Sequence, residues 1–186
     1  MKKTVLTFGL IAGAIMALMM FCTLPFLDKI GFDKGEIIGY TTMVAAFLMI
    51  FFGIRSYREN IGGGKISFAR AFAVGILITV VACLCYVVAW EIIYFNFMPD
   101  FGEKYASYVI GKLKASGASQ QVIEAQMQQM KSFKAMYDNP LVNSAISFLE
   151  PFPVGLIVTL ISALILRKKS SKQQNEESVG GTSEFA

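Results

Sequence analysis

The chain has 186 residues, of which 55% are hydrophobic and 16% are charged, and its formal net charge is +4. Soluble domains are usually about 45–50% apolar and about 25% charged, so this composition excludes an ordinary soluble domain and indicates an integral membrane protein. The sequence has no histidine, and its three cysteines all lie in apolar runs. We therefore expect no zinc site, no disulfide framework and no other cofactor.

The first predicted transmembrane helix covers residues 4–27, an uncharged run that follows Lys2 and Lys3. At a rise of about 1.5 Å per residue, a run of this length crosses a hydrocarbon core of about 30 Å. Gly9, Gly13 and Ala17 recur at every fourth position. Small residues at this spacing favour the close approach of a neighbouring helix.

A polar turn at residues 28–36 separates this run from a second predicted span at residues 37–54. A glycine-rich loop at residues 55–70 follows. Its charged residues are four cations (Arg55, Arg58, Lys65 and Arg70) and one anion (Glu59). Cytosolic loops of membrane proteins carry an excess of Lys and Arg. This loop is therefore predicted to be cytosolic.

The third predicted span, residues 69–97, leads into a polar insert at residues 98–140. We expect two helices in the insert, at residues 101–114 and 120–137, with Ser119 as the N-cap of the second. The second helix carries an apolar stripe at helical spacing: Ile123, Met127, Met130, Phe133 and Tyr137. Such a stripe suits binding to a partner, but packing on a neighbouring helix or on the membrane surface is more common.

The fourth predicted span covers residues 141–166 and is interrupted by Glu150-Pro151-Phe152-Pro153. Each proline removes a backbone donor and displaces an earlier carbonyl, so a kink or break is expected here. Residues 170–186 are polar and show no apolar periodicity, which predicts a disordered cytosolic tail. Cations cluster near both termini and in the basic loop. Both termini are therefore predicted to be cytosolic and the insert extracytoplasmic.

The chain resembles a bacterial membrane-protein family of unknown function, common in Bacteroidetes, the domain-of-unknown-function family numbered 4199. The residues that carry the resemblance are 53–58 (GIRSYR), 63–68 (GGKISF), 90–92 (WEI), 99–101 (PDF) and 153–155 (PVG). The resemblance covers about residues 2–169. It implies a four-helix protein of the bacterial inner membrane, and it implies no activity, substrate or catalytic residue.

Glu91 and Glu150 are the charged residues inside the apolar runs. Ionisable groups within a membrane are costly and are functional candidates by default. Counted along the chain from Asp100 and from Pro140, both lie about 14 Å from the outer polar residues. Similar depth would allow them to share a proton or hold a cation. The alternatives are that Glu91 reaches headgroup water and that Glu150 caps the helix that begins at Pro151.

Two functional hypotheses follow from these patterns. The first is an all-α, non-enzymatic membrane protein whose amphipathic hairpin contacts a protein partner or the bilayer surface. The alternative is a small ion- or solute-conducting protein that uses Glu91 and Glu150. An enzyme is not expected, because the sequence has no nucleophile–base pair and no metal-ligand set. The cations flank apolar runs, so the expected partner is the lipid bilayer and not a nucleic acid, and an oligomer is compatible with the sequence.

Overall fold

The computed structural model describes residues 1–168, and every regular element in that part of the chain is a helix. The helices, in chain order, are α1 (Lys2–Thr23), α2 (Leu27–Ile30), α3 (Phe32–Asn60), α4 (Phe68–Ile92), α5 (Phe101–Ala115), α6 (Gln120–Tyr137), α7 (Pro140–Leu149) and α8 (Phe152–Leu166). A 3-10 turn, Leu24–Phe26, joins α1 to α2, and a π-helical turn, Ile93–Phe97, extends α4. The predicted tail at residues 170–186 lies outside the described residues.

Four helical segments are long and apolar enough to cross a membrane: Lys2–Ile30, Phe32–Asn60, Phe68–Phe97 and Pro140–Leu166. Each of these segments contains one of the four predicted spans, and the prediction of an all-α protein with four such helices is confirmed. The structure also forms both predicted helices of the insert, as α5 and α6. Their junction has Gly117 at a φ of 75° and Ser119 accepting from the Val122 N–H at 3.5 Å.

The other three spans pack around α4, which contacts α1, α3, α7 and α8. Glycines allow the close approaches. A Cβ at Gly9 would lie 2.7 Å from the Cβ of Val81, and one at Gly13 would overlap Cys85. The predicted ladder of small residues on α1 therefore faces α4. Lipid tails are as apolar as the side chains, so close van der Waals packing has to hold such helices together.

A buried hydroxyl pair joins α4 to α8. The hydroxyls of Thr79 and Thr159 lie 3.1 Å apart, and both residues are fully buried. The Thr79 hydroxyl also lies 3.1 Å from the Gly75 carbonyl of its own helix and 3.4 Å from the Gly155 carbonyl of α8. A polar group in a lipid-embedded core needs such partners, because no water is available to replace them.

The second span differs from the prediction at its start, because α3 begins at Phe32 and not near residue 37. Apolar composition marks the part of a helix that lies in hydrocarbon, whereas helical hydrogen bonding continues into polar residues. Gly31, at a φ of 85°, ends the short helix α2, and Asp33 lies in the first turn of α3. An acid in that position is stabilised by the helix dipole.

The fourth span breaks where the prolines predict. Helix α7 ends at Leu149 and α8 begins at Phe152, with Glu150 and Pro151 between them. The carboxylate of Glu150 is therefore held at a helix junction inside the apolar segment, a position that an unbroken helix would not provide.

The two ends of the bundle differ in charge. At one end, which we call the basic end, lies the loop at residues 61–67, the part of the predicted basic loop that is not helical. It lies beside the end of α8, where Ile66 and Lys168 exchange two backbone hydrogen bonds of 3.2 and 2.9 Å. Arg58 also donates to the Leu166 carbonyl at 3.3 Å. The opposite end, here the insert end, contains α2 and the insert at residues 98–140. The basic loop and the insert therefore lie on opposite sides of the spanning segments.

Candidate functional site

The predicted residue Glu150 lies in the wall of a cavity at the insert end. Its Oε2 accepts a hydrogen bond of 2.9 Å from the Tyr86 hydroxyl of α4. The residue is exposed, and both Glu150 and Tyr86 line the cavity. The helix break after Leu149 places this carboxylate against α4.

Glu91, the second predicted carboxylate, lies elsewhere. It is half-buried, and its Oε1 accepts a hydrogen bond of 2.9 Å from the Ser144 hydroxyl of α7. Of the two glutamates, only Glu150 lines the cavity. Each is thus held by its own hydroxyl donor, and a site shared by the two stays a hypothesis.

The cavity has a volume of about 570 Å³ and lies between α1, α3 and α4, beneath α5. We call it the roofed cavity. Its wall is mainly apolar, with methionines from α1 and α3 and a set of aromatic residues from α3, α4 and α5. The aromatic residues are Phe32, Tyr40, Tyr86, Trp90, Phe101, Tyr105 and Tyr108. Cavities of several hundred Å³ with a largely apolar lining and a few polar groups are the usual form of a small-molecule site.

Helix α5 forms the roof through aromatic contacts with the start of α3. The ring centroid of Phe32 lies 6.0 Å from that of Phe101, 5.6 Å from Tyr105 and 4.9 Å from Tyr108. These residues of α5 are spaced four and three apart, so they share one face of the helix. That face is turned toward the cavity, and none of the three residues was a candidate site residue in the sequence analysis.

Two ion pairs add to these contacts at the edges of the roof. Lys104 lies 3.2 Å from Asp28, and Lys112 lies 2.7 Å from Asp33. The Asp33 carboxylate raises the pKa of Lys112. Both pairs are exposed to solvent, so each contributes little to stability, and they join α5 to α2 and to α3.

The charges that line the roofed cavity are mostly negative. Asp33, Glu36 and Glu150 supply carboxylates, and Lys112 supplies the cation. The ammonium of Lys112 is already paired with Asp33. Among residues 1–168, no Lys or Arg forms an ion pair with Glu36 or Glu150. The wall therefore carries negative charge that its own cation does not neutralise.

Two buried polar atoms in this region lack hydrogen-bond partners within residues 1–168: the indole N–H of Trp90 and the hydroxyl of Tyr108. The first lies near the Tyr137 hydroxyl, and the second lies near Asp33 and Lys112. In neither case is a hydrogen bond completed. Unsatisfied buried donors are uncommon in folded proteins, and the two adjoin the same cavity.

The predicted partner face of α6 divides into two parts. Ile123 is 5% exposed and packs inside the chain. Tyr137 also packs inward, since its ring lies 5.4 Å from that of Tyr94 and its hydroxyl lies 3.2 Å from that of Ser147. Met127 and Phe133 are 43% and 44% exposed.

Met130, the remaining member of that face, is half-buried. With Met127 it lines a groove of about 310 Å³ between α5 and α6. Packing against α5 therefore occupies a share of the stripe.

Within the described part of the chain, no group of three or more Asp, Glu, Cys or His residues has the geometry to hold a metal ion. The carboxylates of the roofed cavity are spread around its wall. The arrangement offers dispersed negative charge and aromatic faces.

Sequence reasoning missed Asp33, Glu36 and the inner face of α5, although a signal was present. Asp33, Glu36 and Tyr40 are spaced three and four apart, and so are Tyr105, Tyr108 and Lys112. The polar composition of residues 28–36 indicates a turn, and this interpretation conceals the helical spacing of Asp33 and Glu36. A search for paired polar and aromatic stripes at helical spacing would have found both sets.

The four apolar segments and their packing define a multi-pass α-helical membrane protein. The model of the family described as "Protein of unknown function (DUF4199)" matches residues 7–168, so the chain belongs to this family. The resemblance based on the five short motifs is thereby confirmed. Neither a curated protein nor a solved structure matches the chain.

Proposed function

We propose that the protein is a non-enzymatic membrane protein that binds a small amphipathic molecule in the roofed cavity. The observation that supports this most strongly is the nature of the roof. An amphipathic helix from outside the bundle, α5, covers a cavity between three spans and is fastened there by the contacts of Phe32. A helix fastened by side chains at one face can open for entry and exit more easily than a helix of the bundle itself.

The sole tryptophan provides a direct test, because Trp90 lies in the cavity wall. 4-Bromobenzyl alcohol is a neutral aromatic molecule whose bromine quenches indole fluorescence on contact. Added to the protein in phosphatidylcholine liposomes, it should quench Trp90 in a saturable manner. Quenching that rises linearly, as simple partition into lipid requires, would count against the proposal.

Matched glycine variants separate binding from partition. Gly39 lines the cavity, and a Cβ there would meet no atom within 4 Å, so Gly39→Leu adds side-chain volume at the cavity wall. Gly111 is equally unobstructed but is not part of the cavity wall. We expect Gly39→Leu to abolish the saturable quenching and Gly111→Leu to leave it unchanged.

We further propose that the insert is extracytoplasmic and that both termini lie in the cytosol of a bacterium, with the protein in the inner membrane. The support is the concentration of Lys and Arg near the basic end.

Single cysteines at Ile61 and Ser116, in a chain without the three native cysteines, test the orientation with a membrane-impermeant thiol reagent. Ile61 is preferable to Gly63, whose φ of 59° disfavours a side chain. In intact cells Ser116→Cys should be labelled and Ile61→Cys should not, and the reverse pattern would overturn the orientation.

The exposed part of α6 supports contact with the membrane surface or with a protein partner, as the sequence predicts. Met127 and Phe133 expose apolar area that residues 1–168 leave partly uncovered. A photocrosslinker at Phe133 would distinguish lipid from protein adducts. Its control is a crosslinker at the buried Ile123.

Conduction of an ion or solute through Glu91 and Glu150 is the alternative function. The position of Glu150 in the cavity wall favours conduction. The separate hydrogen-bond donors of the two glutamates, Tyr86 and Ser144, count against it. Proton or cation flux in liposomes, compared between the native protein and Glu150→Gln, is the direct test. Flux that depends on Glu150 would support conduction over simple binding.

A further inference from the structure

We propose that the roofed cavity selects an organic cation, such as a protonated amine or an onium group attached to an apolar body. This inference rests on the proposed binding function and adds the chemical class of the ligand. Three features of the wall support it: its uncompensated charge, its aromatic faces and its adaptable apolar side chains.

The first feature is electrostatic complementarity. Glu36 and Glu150 have no ion pair within residues 1–168, and the ammonium of Lys112 is 2.7 Å from Asp33. An anionic ligand entering this wall would meet carboxylates whose charge no cation offsets. A monovalent cation would instead reduce the repulsion between carboxylates that face the same space.

The Tyr86 hydroxyl strengthens this assignment. It donates to Oε2 of Glu150 at 2.9 Å and so orients the carboxylate at the helix break. The second oxygen, Oε1, has no hydrogen-bond partner in the described structure and is available to a ligand N–H. A carboxylate held by one internal donor is better suited to bind a cation than one that moves freely, because less conformational freedom is lost on binding.

The second feature is the aromatic lining. Tyr40, Tyr86, Trp90 and Tyr105 all contribute to the wall. The negative face of an aromatic ring attracts a cation within about 6 Å of its centroid, most strongly for Trp and Tyr and when water is excluded. Aromatic rings also accept the apolar body of the ligand, so one lining serves both parts of an amphipathic cation.

The third feature is the methionine surface on the opposite side. Met16, Met20 and Met43 line the cavity, and their side chains are flexible and polarisable. They can adapt to apolar bodies of different shape. The volume of about 570 Å³ is within the range of sites that bury a drug-sized molecule.

Tetraphenylphosphonium and tetraphenylborate test the charge preference directly, because they share size and shape and differ in the sign of their charge. In phosphatidylcholine liposomes, each ion is titrated against the quenching of Trp90 by 4-bromobenzyl alcohol, with the signal of Gly39→Leu subtracted as partition into lipid, so that a bound ion is detected by the quenching it relieves. We expect saturable binding of the phosphonium ion and none of the borate. Glu36→Gln and Glu150→Gln should each weaken phosphonium binding by roughly tenfold, from the loss of one nearby charge.

Glu124→Gln is the matched control, since Glu124 is exposed on α6 and is not part of the cavity wall. It should leave phosphonium binding unchanged. Equal, saturable binding of both ions, unaffected by the glutamine variants, would overturn the cation assignment and leave the binding function in place. Native mass spectrometry that finds an anionic lipid retained equally by all variants would also overturn the cation assignment and leave the binding function in place. Absence of saturable binding for either ion and for 4-bromobenzyl alcohol would overturn both proposals.

Discussion

Lys112 and Asp33 are 79 positions apart in the sequence, yet the Lys112 ammonium lies 2.7 Å from Oδ1 of Asp33. Lys112 belongs to the insert helix α5 and Asp33 to the first turn of the spanning helix α3. Their ion pair joins the roof of the cavity to the bundle. Because both charges are exposed, the pair influences where α5 lies much more than it influences the stability of the whole protein.

The first prediction concerns this ion pair. Lys112→Met should let α5 leave the bundle more often, because one of its attachments to α3 is lost. We expect several-fold faster amide exchange in Phe101–Ala115 and little change in global stability. Lys114→Met, at an exposed lysine of the same helix that forms no ion pair within residues 1–168, is the control. Equal exchange in both variants would show that the Lys112–Asp33 pair does not hold the roof.

The second prediction concerns the close approach of α1 and α4. A Cβ at Gly13 would overlap Cys85, so Gly13→Ala must separate the two helices. We expect it to destabilise the protein by about 1–3 kcal/mol, measured by unfolding in mixed micelles. Gly111→Ala meets no neighbouring atom and should stabilise by up to about 1 kcal/mol through helix propensity alone. Stabilisation by both substitutions would contradict the observed packing.

The third prediction is a pH dependence at the end of α6. Lys134 and the Tyr94 hydroxyl lower the pKa of Asp138 below its ordinary value of 3.8. Since the folded pKa is below the unfolded one, the stabilisation is fully present above the unfolded pKa and is lost as the pH falls through the folded pKa. Asp138→Asn should therefore reduce stability near neutral pH, by less than about 1 kcal/mol for such an exposed pair.

Thermal unfolding of the native protein and Asp138→Asn between pH 7 and pH 3 measures this effect. The difference between the two proteins should be constant near neutrality and should decrease as the pH falls below the ordinary pKa of 3.8. Glu124→Gln, which removes an exposed carboxylate from the same helix, should not change the stability. A difference between native protein and Asp138→Asn that grows as the pH falls would contradict the assignment.

The fourth prediction concerns Glu91 and Glu150. Because their hydrogen-bond donors, Ser144 and Tyr86, lie on different helices, we expect Glu91→Gln and Glu150→Gln to be additive within about 0.5 kcal/mol in a double-mutant cycle. Unfolding in mild detergent measures each term. A coupling of about 0.5–3 kcal/mol would instead indicate a shared site and would favour the conducting alternative.

The sequence by itself determined the membrane-spanning architecture. An uninterrupted apolar run that can cross hydrocarbon must satisfy its backbone hydrogen bonds internally, so it forms a helix whatever its neighbours are. The break around Glu150 followed from Pro151 and Pro153, because a missing N–H acts locally. The helices of the insert and the small-residue face of α1 were likewise local patterns that needed no knowledge of the partner helix.

Only the tertiary structure decided which residues form the cavity. Whether Glu150 or Glu91 lines it depends on how α4 and the two halves of the last span are rotated about their axes, and residue spacing does not determine that rotation. The inner face of α5 has the same amphipathic pattern whether it meets lipid, a partner or its own bundle. It covers the cavity because Phe32 and Asp33, far away in the sequence, supply complementary aromatic and charged partners. Contacts between distant segments of this kind arise from the packing of the whole chain, and no short stretch of sequence contains them.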